Sequence, residues 1–263
     1  MSLNKLDFFE LYRKHMQKSA RPEKSPESWS KRAGEMQKRP LESPYTQALL
    51  ARINLNGIHS ILDVGCGNGA LSIPLSKQVE KVLAVDFSPA MLEGLNHHIA
   101  TYQCQNIQPI LRAWEDDWSD IPPCDLLLSS RSSTVKDFKV VMDKIASHAL
   151  KRVVITQPVN GYFTDPEIIH ALGLKEEYAP DYIYTLNLLH QQDIHPRLNY
   201  IDTHSRFAFS QNFEDFLQRI QWSFDELNST QIQNLKNWYQ SAEQRAKTGG
   251  RPMRWAVLEF EVG

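Results

Sequence analysis

The residues best able to do chemistry form a glycine-rich run after a short apolar stretch. The run reads Asp63-Val64-Gly65-Cys66-Gly67-Asn68-Gly69-Ala70. Gly65 and Gly67 permit backbone angles and close approaches that a Cβ atom would block, so a ligand can lie directly against this main chain. A helix is predicted to begin just beyond the run, and its N-terminal N–H groups carry partial positive charge. The run is therefore predicted to be a binding loop.

A second acid, Asp86, ends the next predicted strand, 19 residues after Gly67. A carboxylate at a strand tip suits paired hydrogen bonds to the hydroxyls of a ribose. With the spacing Gly65-x-Gly67-x-x-Ala70, it matches a dinucleotide-binding fingerprint. Asp86 could bind the ribose of the adenosine in either NAD or S-adenosylmethionine. The structural alternative is that Asp86 caps the helix beginning at Ser88–Pro89.

Two features favour S-adenosylmethionine over NAD. Asp63 lies inside the first strand, directly before the glycines, where its charge would repel a pyrophosphate. The ammonium and sulfonium of S-adenosylmethionine would instead be attracted to it. The second feature is the sequence Phe87-Ser88-Pro89-Ala90-Met91-Leu92 that follows Asp86.

Together the two motifs resemble those of the class I S-adenosylmethionine-dependent methyltransferases, over roughly residues 45–160. The resemblance implies an α/β, three-layer, Rossmann-like doubly wound sheet of seven mostly parallel strands, with one late antiparallel strand. It implies S-adenosyl-L-methionine as the cofactor. By the same resemblance, its methionine part would be lined by Asp63, Gly65, Cys66 and Gly67, its ribose bound by Asp86, and its adenine flanked by Phe87.

The segment after the third strand departs from the family pattern. Trp114 is expected to stack on the adenine and Glu115 to accept a hydrogen bond from its amino group. The alternative is that Trp114 and Trp118 are packing residues.

The segment after the fourth strand is predicted to face the methyl group or the acceptor, because ligands of open α/β sheets lie beyond the carboxyl ends of strands. It contains Ser129, Ser130 and Arg131, of which Ser129 is also expected to contact the cofactor. Arg131 is expected to clamp an anionic group of the acceptor, or else to be a surface arginine at a helix start.

The methyl donor is already activated by its positive charge, so a general base is optional. No catalytic residue is singled out, although His190, His195 and His204 are candidate bases. No Cys/His spacing supports a zinc site, and no metal is expected.

The elements that must position these residues alternate between strand and helix from about residue 45, which implies βαβ units and a parallel sheet. The predicted strands are Ser60–Val64, Lys81–Asp86, Asp125–Ser129 and Arg152–Thr156, and the helices between and before them are Tyr45–Ile53, Ala70–Gln78, Pro89–Tyr102 and Val135–Ala149. Later strands at Leu198–Phe209 and Trp255–Val262 could close the open edge of the same sheet, with predicted helices at Pro180–His190, Phe213–Gln221 and Thr230–Ala246.

We expect a helical N-terminal cap over residues 1–44 and a methyltransferase domain over residues 45–263, with a cofactor half to about residue 160 and an acceptor half after it. Residues 1–40 hold ten Lys/Arg and five Asp/Glu, and helices are predicted at Leu3–Met16 and Glu27–Gln37. The cap is either a solvated arm or a cover for the site, with Trp29 packed inward.

Composition narrows the functional classes. The 263 residues carry a net charge of −2, which argues against general nucleic-acid coating. Three cysteines without a paired framework, and no long apolar run or signal peptide, favour a cytoplasmic protein without membrane contact. The oligomeric state is not predicted.

A small-molecule acceptor is the preferred prediction. The chain lacks both the Asn/Asp-Pro-Pro-aromatic motif of base N-methyltransferases and the Pro-Cys motif of cytosine-C5 enzymes. The alternatives are an RNA- or protein-modifying methyltransferase, a non-catalytic module that binds S-adenosylmethionine, and an NAD-dependent dehydrogenase. Aromatic residues between Gly161 and Tyr184 could line an acceptor pocket.

Overall fold

The computed structural model describes residues 5–19, 25, 41–176, 178–205, 207–224 and 226–262. The predicted second cap helix, Glu27–Gln37, and Trp29 within it lie outside the described residues. Among the described helices, none is long and apolar enough to cross a membrane.

A seven-stranded sheet forms the centre of the molecule, in the order β3-β2-β1-β4-β5-β7-β6. Strand β7 runs antiparallel to both of its neighbours, and the remaining pairs are parallel. The predicted doubly wound, mostly parallel sheet with one late antiparallel strand is confirmed. The strands are β1 (Ser60–Val64), β2 (Lys81–Asp86), β3 (Ile107–Leu111), β4 (Cys124–Ser130), β5 (Ala149–Pro158), β6 (Arg197–Thr203) and β7 (Met253–Glu261).

The central strands are apolar along almost their whole length because helices cover both faces of the sheet. Successive side chains point to opposite faces, so Leu62 and Val64 of β1 enter one core while Ile61 enters the other. The edge strand β3 contains Pro109, which cannot donate a ladder hydrogen bond and is tolerated at an edge.

Helices form the two outer layers. Helices α1, α5 and α7 pack on one face, while α2, α3 and α4 pack on the other. The described helices are α1 (Phe8–Lys18), α2 (Pro44–Leu50), α3 (Ser72–Ser76), α4 (Pro89–Thr101), α5 (Phe138–His148), α6 (Pro166–Ala171), α7 (Tyr182–Gln191), α8 (Phe213–Phe224), α9 (Ser229–Ser241) and α10 (Glu243–Lys247).

Helix α1 is anchored rather than loosely attached. The Tyr12 hydroxyl donates to the Val135 carbonyl at 2.8 Å, and His15 Nδ1 lies 2.9 Å from the Tyr184 hydroxyl. Both partners lie beyond or near the carboxyl edge of the sheet. The C-terminal half of α1 and the N-terminus of α2 are therefore held near this edge, on opposite faces.

Two elements of the C-terminal half stop several residues before their predicted ends. The strand predicted to run to Phe209 ends at Thr203, and the chain turns at residues 207–209, where Phe209 has a φ of 65°. The single helix predicted over Thr230–Ala246 is divided at Ala242, whose φ and ψ of −116° and 40° are not helical. Backbone geometry at the single residue Ala242 decides the second of these ends, and apolar periodicity does not report it.

A small helical lobe, made by α6, α8 and α9, lies between β5 and β7 along the chain and has its own apolar core. Buried members of that core include Ile168, Phe216 and Leu235. Asp165 ties the lobe to α10, the helix that precedes the last strand. Its carboxylate, 2% exposed, caps α6 through the Glu167 N–H at 2.9 Å and accepts from Arg245 Nη2 at 2.9 Å.

We expect Asp165→Ala to lower the free energy of unfolding by roughly 2–4 kcal/mol, because it removes a helix cap and leaves the partner guanidinium without its buried carboxylate. Asp202→Ala is the matched control, since Asp202 forms a similar two-pronged pair with Arg254 in which both side chains are exposed. Its effect should be several-fold smaller. Urea unfolding of both variants measures the difference, and equal losses would contradict the structural role given to Asp165.

Candidate functional site

The carboxyl ends of β1, β2, β4 and β5 meet at one edge of the sheet, and the sequence-predicted site residues gather there. The loop after β1 bends at Gly65, Gly67 and Gly69, whose φ angles of 74°, 55° and 90° are all in the left-handed region. Side chains rarely adopt such angles, which explains the glycine at each position.

The three glycines differ in what lies beside them. A Cβ on Gly65 would lie 2.2 Å from Ser132 Cβ, and one on Gly69 would lie 2.5 Å from Leu95 Cδ1. Those two glycines therefore let other parts of the protein pack against the loop. At Gly67 a Cβ would meet no atom within 4 Å. The open side of the binding loop is thus at Gly67.

Ser132 closes the loop from the side of β4. Its hydroxyl donates to the Val64 carbonyl at 2.5 Å and lies 2.9 Å from the Ser129 hydroxyl. Sequence reasoning did not assign a role to Ser132. A signal was present in the serine-rich segment after β4, but only the fold shows which serine faces Gly65.

Asp63 lies beneath the loop and is 1% exposed. Its carboxylate accepts a hydrogen bond from the Ser72 hydroxyl at 2.6 Å. Burial raises the pKa of Asp63 from its ordinary 3.8 to about 7, against the opposing effect of Ser72 and with a smaller contribution from the nearby charge of Asp86. A buried carboxylate of this kind is unfavourable when ionised unless a cation compensates it.

Asp86 spans two loops. One oxygen accepts from the Gly67 N–H at 2.8 Å and the other from the Ser88 N–H at 2.9 Å. Burial raises the pKa of Asp86, and these backbone donors oppose that rise. The Phe87 N–H also bonds to this group. A carboxylate has about four acceptor positions, so Asp86 retains capacity for a further donor such as a hydroxyl. The sequence also suggested that Asp86 caps the following helix. The bond from the Ser88 N–H agrees with that role and leaves the ribose role open.

The remaining sequence-predicted cofactor residues lie in different environments. Cys66 is buried, and burial, with added effects of Asp63 and Asp86, raises the pKa of its thiol. Phe87 is half-buried next to Asp86. Glu115 is exposed on the loop after β3.

Trp114 is 6% exposed and stacks on Trp118, with ring centroids 5.3 Å apart. Its indole N–H donates to the Ser132 carbonyl at 3.0 Å. One face of this ring and its only polar group are therefore occupied by protein, and Trp114 links the loop after β3 to the loop after β4.

Arg131 follows β4 with a φ of 62°, an unusual value for a bulky residue. Its backbone N–H donates to Thr156 Oγ1 at 3.0 Å. The guanidinium carbon lies 4.1 Å from the centre of the Tyr45 ring and 5.7 Å from that of Trp255. The side chain is exposed, and among the described residues no carboxylate forms an ion pair with it.

Tyr45, on α2, is a site residue that sequence reasoning missed. Its hydroxyl lies 2.8 Å from Ser130 Oγ and 2.7 Å from Thr156 Oγ1, so one side chain joins the ends of β4 and β5. The helix starts there because Ser43 caps the Thr46 N–H and Pro44 occupies the first turn. The start of α2 was predicted, but its contact across the sheet was not.

A cavity of about 50 Å³ joins several of these residues. The cavity lies between Asp63, the glycine loop, the start of α2 and the end of β4. Its lining residues are Tyr45, Thr46, Asp63, Gly65, Cys66, Ala70, Leu71, Ser130 and Arg131.

The candidate bases lie elsewhere. His190, His195 and His204 are all exposed, and none of them lines this cavity. In the part of the chain that the structure describes, no group of three or more His, Cys, Asp or Glu side chains could hold a metal ion.

The raised pKa of Asp63 predicts a pH dependence of stability without any ligand. Between about pH 4 and pH 7 the folded protein retains a proton that the unfolded chain has lost, so the contribution of Asp63 to stability falls as pH rises through this window. Asp63→Asn keeps an acceptor for Ser72 and has no such titration. The variant should therefore gain stability relative to the wild type at pH 8 compared with pH 4, as measured by urea unfolding. Parallel pH profiles would show that Asp63 does not titrate in this range.

The family model of a methyltransferase domain matches residues 61–151. An uncharacterized protein of Haemophilus influenzae is 31% identical over 269 residues, covering 100% of this chain and 99% of the relative. A ubiquinone biosynthesis O-methyltransferase of Coxiella burnetii is 35% identical over 89 residues, covering 31% of this chain and 38% of the relative. The chain thus spans well under half the length of that characterised relative.

Among solved structures, coclaurine N-methyltransferase bound to N-methylheliamine and SAH superposes with a TM-score of 0.51 at 16% identity, over 83% of this chain and 71% of that one. The likeness concerns the fold. Residues 61–151 thus contain a methyltransferase domain, and the whole chain belongs to one family with the Haemophilus influenzae protein.

Proposed function

We propose that this protein binds S-adenosylmethionine and transfers its methyl group to a small-molecule acceptor. The observation that carries the proposal is Asp63, a buried carboxylate with a raised pKa beneath a loop whose open side is at Gly67. A positively charged ligand that lies against the main chain would compensate such a carboxylate, and a dinucleotide pyrophosphate would not.

The residues at the sheet edge offer a partner for each part of this cofactor. Asp63 offers a negative group for the methionine ammonium, Gly67 offers bare main chain, and Asp86 retains acceptor positions for ribose hydroxyls. Phe87, half-buried, is available to the adenine. When bound, the cofactor supplies a methyl group already activated by the sulfonium charge.

The work left to the protein is to position the acceptor in line with that methyl group and to exclude water. The hydroxyl of Ser130, held at the tip of β4 by Tyr45, is available for this, whereas Ser129 is fully buried and bonded to Ser132. An amine or thiolate acceptor needs no protein base in the transfer step, which agrees with the distant positions of the three candidate histidines.

A small acceptor is favoured over RNA by the ion pairing of two arginines in the C-terminal half. An RNA-binding surface needs unpaired basic side chains that can contact phosphates. Arg245 is paired with Asp165 and Glu167, and Arg254 is paired with Asp202. Within the described residues these two arginines of the C-terminal half are thus already compensated. The Coxiella relative and the coclaurine enzyme, by their names and bound compound, also act on small molecules.

Replacing Asp86 with Ala should weaken S-adenosylmethionine binding roughly 10- to 100-fold, corresponding to 1.5–3 kcal/mol for hydrogen bonds to a charged group. Asp120→Ala removes an exposed carboxylate of the loop after β3 and serves as the control. Isothermal titration calorimetry on folded protein measures both, and NAD⁺ should bind to neither variant nor to the wild type. Unchanged affinity in Asp86→Ala would contradict the ribose assignment.

Methyl transfer can be traced without knowledge of the acceptor. The purified protein is incubated with S-adenosylmethionine carrying a tritiated methyl group and with a cell extract, and the products are divided by size. We expect enzyme-dependent label in the low-molecular-mass fraction, and none with Gly67→Val, in which a side chain would occupy the open side of the loop. Label in RNA or protein would instead support the macromolecular alternative, and no label in any fraction would support a non-catalytic module.

A further inference from the structure

Arg131 carries an exposed positive charge at the candidate site. Among the described residues no carboxylate forms an ion pair with it. Two other arginines, Arg245 and Arg254, are in contrast each paired with a carboxylate. The guanidinium of Arg131 is therefore available to an anionic ligand, which makes the position of this side chain informative about what the site binds.

The guanidinium lies toward the strands that the proposed cofactor does not use. Its carbon is 4.1 Å from the centre of the Tyr45 ring and 5.7 Å from that of Trp255, a residue of β7. Asp63 and Asp86, the proposed cofactor partners, belong to β1 and β2. In the sheet, β4 and β5 separate β1 from β7. Arg131 is therefore placed on the side of the edge that is left for the acceptor.

The same residue also borders the donor. Arg131 lines the small cavity that contains Asp63 and Gly65. An acceptor bound by this arginine would thus lie next to the proposed cofactor, at the end of β4. Proximity of this kind is what an in-line transfer between two bound molecules requires.

The backbone of Arg131 is fixed in an unfavourable conformation. Its φ of 62° lies in the left-handed region, and bonds from its N–H to the Thr156 hydroxyl at 3.0 Å and to the Thr156 carbonyl at 3.3 Å maintain it. Backbone strain in a bulky residue persists only where the surrounding structure enforces it, and such residues are concentrated at functional sites. The conformation therefore supports a binding role for this side chain.

Aromatic rings support the guanidinium. Tyr45 and Trp255 are both buried, with ring centroids 6.0 Å apart, and Phe163 lies 5.9 Å from Trp255 on the other side. An arginine stacked on an aromatic face keeps its in-plane N–H donors free, and these match the paired oxygens of a carboxylate or a phosphate. Because the arginine is already held in place, less entropy is lost when an anion binds.

We propose that the acceptor is a small acid, and that Arg131 binds its anionic group, a carboxylate or a phosphate, through the forked guanidinium. This inference rests on the proposed function and names its substrate class. The anionic group is distinct from the atom that receives the methyl group, and it orients that atom toward the donor. The neutral Ser130 hydroxyl, at the same strand tip, is available to a second polar group of the acceptor.

The test uses the full chain saturated with S-adenosylhomocysteine, so that the cofactor site is already filled. The probes are benzoate, phenyl phosphate and neutral benzamide, which share a phenyl ring. The wild type should bind at least one anion roughly 10-fold or more tightly than benzamide, the scale of a charge-assisted hydrogen bond, in a nuclear magnetic resonance titration. The anion that binds more tightly distinguishes a carboxylate acceptor from a phosphate acceptor.

Two variants isolate the contribution of the arginine. In Arg131→Gln the preference for anions should disappear, because the charge is lost, while the affinity for S-adenosylhomocysteine should stay at the wild-type value. Arg131→Met, also uncharged, takes its place if Arg131→Gln does not fold. Arg52→Gln removes an exposed positive charge just after α2 and should keep the full preference.

The failure of the inference differs from the failure of the proposed function. A wild type that binds the three probes equally, or an uncharged variant that keeps the preference, overturns the assignment. A tenfold loss of S-adenosylhomocysteine affinity in the uncharged variant would place Arg131 on the cofactor and would overturn it as well. If the wild type does not bind S-adenosylhomocysteine at all, the proposed function fails together with the inference.

Discussion

The buried carboxylate of Asp63 is an unfavourable group when it is ionised, and this constrains what can lie beside it at the sheet edge. It lies under the glycine loop with one hydroxyl partner, and burial raises its pKa to about 7. An ionised carboxylate with so few partners weakens the ligand-free protein. The arrangement becomes favourable when a cation binds next to it, which is the property expected of a cofactor site and not of a structural core.

In the loop above Asp63, two glycines are needed for packing and a third leaves open space beside the main chain. Gly65 and Gly69 are needed because Ser132 and Leu95 occupy the space of a side chain. Gly67 alone among the three has open space beside it. The two packed glycines let Ser132 and Leu95 lie against the loop, and the third leaves open space beside the main chain.

The strand ends that form the candidate site are joined by hydroxyl contacts. Tyr45 links the tips of β4 and β5, and Ser132 links β4 to the loop after β1. Because these contacts connect neighbouring strands, a shift of one strand tip would move the others. Preorganised positions of this kind favour in-line transfer, which depends on alignment more than on acid–base chemistry.

Local patterns in the sequence were sufficient to predict the fold class, the first two strands and the glycine loop. The strands Ser60–Val64 and Lys81–Asp86 were predicted with their observed bounds, because strands buried on both faces read as short apolar runs between turn signals. Asp63 and Asp86 were placed correctly at strand ends for the same reason. Tertiary structure alone decided that Ser132 faces Gly65, that Trp114 stacks on Trp118, and that Tyr45 lies under Arg131. Each of these contacts joins residues from loops or helices that meet only when parallel strands bring their carboxyl ends together, and no local periodicity records which side chains will then touch.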